Sequence, residues 1–172
     1  MLLSLRIENF ALIDCLDLEF GPSLNVFTGE TGAGKSIILD AIDAVLGGKV
    51  DRRVIRTGAT RAILEATFEL DKTAASWLSE QEIEPIDGNL AVCSREITTS
   101  SGTLRSRSRL NGILVNRPLM DQLRDRLVEI TAQGQTVQLG QETLQREWLD
   151  LYGGKTLTEA RSTVTSAWLA AS

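Results

Sequence analysis

The segment Gly29-Glu30-Thr31-Gly32-Ala33-Gly34-Lys35-Ser36 fits the pattern G-x-x-x-x-G-K-[ST] in full, and no other feature restricts this chain so strongly. Glycines at 29, 32 and 34 let the backbone curl tightly, so that successive N–H groups converge on one point. Ahead of the loop, Leu24-Asn25-Val26-Phe27-Thr28 reads as a short strand. Behind it, Ile37, Ile38, Ala41, Ile42 and Val45 recur at helical spacing. A helix beginning near Lys35 adds the positive end of its dipole to the converging N–H groups, which makes a cradle for phosphate. The ligand that such a P-loop holds is a nucleoside triphosphate. Gly29, Glu30, Thr31, Gly32, Ala33 and Gly34 supply the backbone, Lys35 reaches the β and γ phosphates as a point charge, and the Ser36 hydroxyl serves as a ligand for Mg²⁺.

Binding is a smaller claim than hydrolysis. A P-loop NTPase also needs an acidic residue at the end of a second apolar strand, and a group that positions the attacking water. No run of four apolar residues followed by Asp-Glu occurs in the 172 residues. The nearest candidate, Trp148-Leu149-Asp150, lies in a helical pattern that suits a surface. No Leu-Ser-Gly-Gly-Gln-like segment is present either. The chain therefore carries half of an ATPase site at most.

Composition narrows the remaining possibilities. With 172 residues, 42% of them hydrophobic and 24% charged, the chain can build one domain with a real core. No stretch approaches the ~18 consecutive apolar residues of a membrane span, and Met1-Leu2-Leu3-Ser4-Leu5-Arg6 lacks the basic start of a secretory signal. A cytoplasmic protein with no membrane partner is expected. The absence of histidine removes His-based catalysis and His-ligated metals from this chain. Cys15 and Cys93 have no partner spacing and read as buried, reduced thiols. The net charge of −5 speaks against a dedicated nucleic-acid module, although Arg52, Arg53, Arg56 and Arg61 and then Arg105, Arg107 and Arg109 form basic islands.

Along the chain, Leu3, Leu5 and Ile7 alternate with polar residues, as do Leu16, Leu18 and Phe20, which predicts two half-buried strands paired antiparallel beside the strand of the loop. Gly21-Pro22-Ser23 is a turn and Gly47-Gly48 ends the first helix. Residues 62–70 read as a strand with Ala62, Leu64, Ala66, Phe68 and Leu70 on one face. A short helix follows over 73–81, and a further strand over 90–97. Asn111-Gly112 between 104–110 and 113–115 is a strong hairpin signal, because both residues tolerate positive φ. Pro118 stands near the first turn of a helix over about 119–130. A glutamine-rich loop follows over 131–140, then helical patterns over 142–151 and 156–170. Leu157, Ala160, Val164, Ala167 and Trp168 form a stripe that suits a terminal amphipathic helix or the start of a coiled coil. Arg105, Arg107 and Arg109 share one strand face. That face either is solvated or meets DNA phosphate.

The residues Leu5-Arg6-Ile7-Glu8-Asn9-Phe10-Ala11-Leu12-Ile13-Asp14, then Leu24-Asn25-Val26, then Thr28 through Ala41, resemble the start of bacterial RecN proteins. These are double-strand-break repair ATPases of the SMC-like group. Leu46-Gly47-Gly48, Ile55-Arg56-Thr57-Gly58-Ala59, Arg95-Glu96-Ile97, Ser106-Arg107-Ser108 and Asn111-Gly112 extend the resemblance over about residues 1–152. It implies an α/β fold: the N-terminal half of an ABC/SMC-type P-loop NTPase head with an antiparallel β subdomain. Residues 1–152 would form that half and residues 153–172 the start of a coiled-coil arm, so the chain reads as a head fragment. The C-terminal half of the same head would bring the signature motif and the catalytic acids. Two heads would sandwich ATP as a homodimer, and the full-length protein would engage DNA. Matching Val128-Glu129-Ile130-Thr131-Ala132-Gln133-Gly134-Gln135 to the family's glutamine loop implies that Gln133, or alternatively Gln135, contacts Mg²⁺ and the attacking water. The family's histidines are replaced in this stretch. Arg56 resembles a position that approaches nucleotide in related heads, against the plainer reading of a surface arginine. Two other classes remain open: a self-contained P-loop enzyme such as a small-molecule kinase, and a non-catalytic, nucleotide-dependent assembly module. Two strands before the loop and a hairpin after it favour the head.

Overall fold

The computed structural model describes residues 1–29, 34–100, 102–128, 149, 152 and 153. All named elements fall in one compact unit, Met1–Glu129. Six strands form one sheet in the order β2-β1-β3-β4-β5-β6: β1 (Leu2–Phe10), β2 (Ile13–Glu19), β3 (Arg61–Glu69), β4 (Leu90–Ser100), β5 (Thr103–Leu110) and β6 (Ile113–Val115). Every pairing is antiparallel. The helices are α1 (Lys35–Val45), α2 (Lys72–Glu80) and α3 (Arg117–Leu127), with a short 3-10 turn at Arg52–Val54.

Period-two alternation sorts the sheet into two faces. Leu5, Ile7, Ala62, Leu64, Ala66, Phe68, Ala91, Cys93 and Ile97 are buried on one. Ala41, Ala44 and Val45 of α1, Leu78 of α2, and Met120 and Leu123 of α3 complete that core. The strand expected over 62–70 buries all five of its predicted core residues. The opposite face carries the polar partners in register, with Asp17 beside Arg6, Arg6 beside Glu65, and Glu65 beside Ser94. Arg109, Arg107 and Arg105 continue it across β5 opposite Ser94, Glu96 and Thr98. The predicted common face of the three arginines is therefore the outer one.

The hairpin signal at Asn111-Gly112 holds: φ is +50° at Asn111 and +83° at Gly112, and Leu110 pairs with Ile113. Helix α3 starts at Arg117, two residues earlier than expected, because Asn116 caps it by accepting from the N–H of Leu119 at 3.0 Å.

Two expectations are corrected. Residues 24–28 form no strand. A strand needs a hydrogen-bonded neighbour, and among the described residues none lies beside this segment. Leu24 and Val26 are 84% and 71% exposed, Phe27 meets Phe20 edge-on at 6.0 Å, and Asn25 instead clasps Gly21 through both its N–H and its carbonyl. The β1–β2 pair consequently does not flank a loop strand. Cys15, expected to be buried, is exposed; it lies opposite Glu8 on the outer face, whereas Cys93 is on the inner face and buried. Gln133, Gln135 and the 153–172 arm segment lie outside the described residues, apart from Gly153.

Candidate nucleotide site

Helix α1 differs from the other two at its N-terminus. Asp71 caps α2 by accepting from the N–H of Ala74 at 2.7 Å, and Asn116 caps α3. The N-cap of α1 is Gly34, which offers no side chain and sits at φ +92°; no acid occupies the first turn. A helix begins with backbone N–H groups that have no partner within the helix. In α1 no described residue serves them with a cap or a carboxylate, so this end keeps its positive potential.

Among the described residues, nothing fills the space beside Gly34. A Cβ built on Gly34 meets nothing within 4 Å, and its left-handed conformation strains any L side chain. Lys35, the first residue of α1, folds back and donates from Nζ to the carbonyl oxygen of Gly29, tying the two ends of the loop together. Ser36 is exposed, so its hydroxyl is available to a metal-bound nucleotide. Gly29, Gly34, Lys35 and Ser36 are thus brought together by the fold. Glu30, Thr31, Gly32 and Ala33 lie outside the described residues. The donor set suits a triphosphate with a hard cation: glycine backbone, one ammonium, one hydroxyl.

Arg56 is held elsewhere. Its backbone N–H donates to the carbonyl oxygen of Asn9 at 2.9 Å, and its guanidinium pairs with Asp14 at 3.0 Å, just past the β1–β2 turn. No described P-loop residue touches it. The neighbouring arginines are also committed: Arg53 to Asp51 at 2.7 Å, and Arg52 to the carbonyl oxygen of Gly102 at 3.1 Å.

The far end of α1 carries a feature that sequence reasoning missed. Arg95, 8% exposed, is the one buried charged residue among those described. Its Nη1 donates to the carbonyl oxygens of Ala44 at 2.5 Å and Gly48 at 2.6 Å, and its Nε to Ser106 Oγ at 2.7 Å. Burial, and then the positive charge of Arg117, push its pKa down, while Asp43 and Asp121 oppose them. The signal was available: Ala91, Cys93, Arg95 and Ile97 share the inward period, and an arginine in that series has to find partners inside.

The fold is of the P-loop NTPase type, with the architecture of an SMC head. The chain belongs to the AAA domain family, whose model matches residues 4–152. It is 56% identical over 164 residues to the DNA repair protein RecN of Synechocystis sp., covering 95% of this chain and 28% of that protein. A solved structure from work on ATP-driven dimerization and DNA-stimulated activation of SMC ATPases matches with a TM-score of 0.60 and 22% identity, over 86% of this chain and 96% of that one. The Smc head domain of Pyrococcus furiosus with an extended coiled coil, bound to the C-terminal domain of ScpA, matches with a TM-score of 0.57 and 22% identity, over 71% of this chain and 32% of that one. The chain spans little more than a quarter of its RecN relative. Among the described residues, no helix is long and apolar enough to cross a membrane.

Proposed function

We propose that this chain is the nucleotide-binding half of a RecN-like ATPase head acting in DNA double-strand-break repair. The observation that carries the reading is the pairing of a P-loop on an uncapped helix with a leading segment, residues 24–28, that has strand sequence and, among the described residues, no strand partner. An apolar segment exposed to this degree beside the binding loop calls for a neighbouring strand from another part of the head. The C-terminal half of the same head, with its acidic and signature motifs, is that missing neighbour.

In this reading the P-loop amides and Lys35 bind and orient the triphosphate, and Ser36 with Gln133 holds Mg²⁺. When bound, Mg²⁺ neutralises charge on the phosphate oxygens. Gln133 also orients the water. Arg56 exchanges Asp14 for the nucleotide when two heads close as a homodimer. DNA meets the full-length protein, with Arg105, Arg107 and Arg109 as candidate phosphate contacts.

The test is complementation. ATP binding and turnover are measured for this chain alone and again after adding a C-terminal head fragment. Mg-ATP binding alone, with turnover only in the mixture, is expected. Robust turnover by the isolated chain overturns the split-head reading in favour of a self-contained P-loop enzyme. Binding with no turnover in either state overturns it in favour of a nucleotide-dependent assembly module.

A further inference from the structure

A second cationic site lies at the opposite end of α1 from the P-loop. Eleven residues separate the two ends, about 16 Å at helical rise. There a cleft of about 340 Å³ opens between the close of α1, the inner face of β4 and β5, and the start of α3. Gly48, Lys49, Arg95, Ser106, Ser108 and Arg117 line it.

Three observations set this cleft apart from an ordinary solvated surface. The first is the state of Arg95. Its Nε and Nη1 are fixed by Ser106 and by the carbonyls of Ala44 and Gly48, which spends the helix-end carbonyls that would otherwise repel an anion. Its Nη2 makes no hydrogen bond among the described residues, so a rigid guanidinium presents a spare donor there.

The second is charge. Lys49, Arg95, Arg117 and Arg124 gather around two carboxylates, and both carboxylates are already committed. Asp43 pairs with Arg124 at 2.5 Å, and Asp121 with Arg117 at 3.6 Å. Arg95 and Lys49 are left in excess. Arg117 still acts on Arg95 as a like charge, which Asp43 and Asp121 offset in part.

The third is the supply of neutral donors. Ser106 and Ser108 line the same wall two residues apart. Like charges around hydroxyl donors are relieved by an anion with several acceptor oxygens.

We propose that this cleft binds a single phosphate group, with Arg95 and Arg117 as its charged contacts and Ser108 and Lys49 completing the shell. The geometry suits the group itself, whether it arrives as free phosphate or as one phosphodiester of a nucleic acid strand. The site is independent of the P-loop and of the reading given to it.

The experiment uses the 172-residue chain carrying Lys35→Ala, which removes the lysine contact at the P-loop. Inorganic phosphate is titrated by calorimetry at low ionic strength. Saturable binding at millimolar concentration is expected, and Arg117→Glu should weaken it about ten-fold or more, the loss of one charge-assisted contact. Glutamate is compatible with the first turn of α3, and a far-ultraviolet spectrum checks that the variant is folded. Ser108→Ala, which leaves every charge in place, should weaken binding by a smaller factor. Arg107→Glu on the outer face should leave it unchanged. Unaltered affinity in Arg117→Glu, equal loss in Arg107→Glu, or no saturation overturns the proposal. A short single-stranded DNA that competes with phosphate identifies a phosphodiester source. DNA that fails to compete restricts the site to free phosphate or a monoester, and both outcomes uphold a phosphate site.

Discussion

Arg95 on β4 donates to the carbonyl oxygen of Gly48 at 2.6 Å, and this bond joins the antiparallel sheet to the end of the helix whose beginning carries the P-loop. The same nitrogen holds the carbonyl of Ala44. Replacing Arg95 by Met keeps much of the volume and removes every donor. The buried Gly48 carbonyl then loses its side-chain donor, and that of Ala44 keeps only the N–H of Gly47 at 3.1 Å. A loss of about 3 kcal/mol in unfolding free energy is expected, read from the urea midpoint. Arg95→Lys should recover only part of it, because an ammonium does not reproduce the planar fork.

Gly48 itself leaves no room for a side chain. A Cβ there would stand 2.0 Å from Asp43 Oδ2 and 2.7 Å from the backbone oxygen of Asp43. The side chain can turn away, but the backbone cannot without unwinding the end of α1. Gly58 is the useful contrast, since its φ is +89° but nothing lies within 4 Å of its Cβ. Gly58→Ala should cost about 1 kcal/mol of conformational strain. Gly48→Ala should cost about 2–3 kcal/mol through overpacking. Thermal melts of the two variants decide whether that order holds.

Asn111 does more than permit the hairpin. Its Oδ1 accepts from the N–H of Val92 at 2.8 Å and its Nδ2 donates to the carbonyl of Glu84 at 2.8 Å, so one side chain pins β4 to the loop after α2. Asn111→Gly keeps the left-handed backbone and loses both bonds. Asn111→Ala loses the bonds and adds strain at φ +50°. Destabilisation of about 1–2 kcal/mol is expected for glycine, with a further ~1 kcal/mol for alanine. Equal melting temperatures for the two would refute the backbone contribution.

The local signals in this sequence were the ones that local physics settles. Alternation in β1, β3 and β5 fixed their inward residues, Asn111-Gly112 fixed a turn, and Pro118 marked a helix start, because each depends on a few adjacent side chains. Residues 24–28 went wrong for the opposite reason. Leu24 and Val26 have strand chemistry, but a strand is a relationship with a neighbour, and that neighbour is not among the described residues. The inward period of β4 marks Arg95 as buried, but its partners Ala44 and Gly48 are backbone carbonyls distant in sequence, which no side-chain pattern announces. The P-loop was legible as a motif. What the sequence could not convey is that α1, unlike α2 and α3, begins with no side-chain cap.

The two thiols should respond differently to pH and reagent. Burial pushes the Cys93 thiol up to about 12 from an ordinary value of 9.0. A group whose folded pKa is raised contributes full stability below its unfolded pKa. That contribution is therefore complete below about pH 9 and is lost as pH rises towards 12. Cys93→Ala should remove this alkaline component from a stability profile. At pH 8 an aromatic disulfide reagent should label Cys15 promptly in the native chain, and Cys93 only after denaturation. Prompt release of two thiols from the folded protein would show that the Cys93 environment opens readily.

The segment before the P-loop separates folding from assembly. Leu24 and Val26 are exposed in this chain, so Leu24→Asp with Val26→Asp removes little buried surface. Its unfolding free energy should change by less than about 0.5 kcal/mol, the range of ordinary surface substitutions. In an assembled head the same side chains would be covered by strands of the other half, and two carboxylates there would have to be desolvated. The double variant should therefore fold normally and bind Mg-ATP alone, yet recover far less ATPase activity than the parent when the C-terminal fragment is added. Sedimentation of the mixture would show whether the loss lies in association. Full recovery of turnover would mean that this segment stays uncovered in the working head, and that the exposed apolar run has some other role.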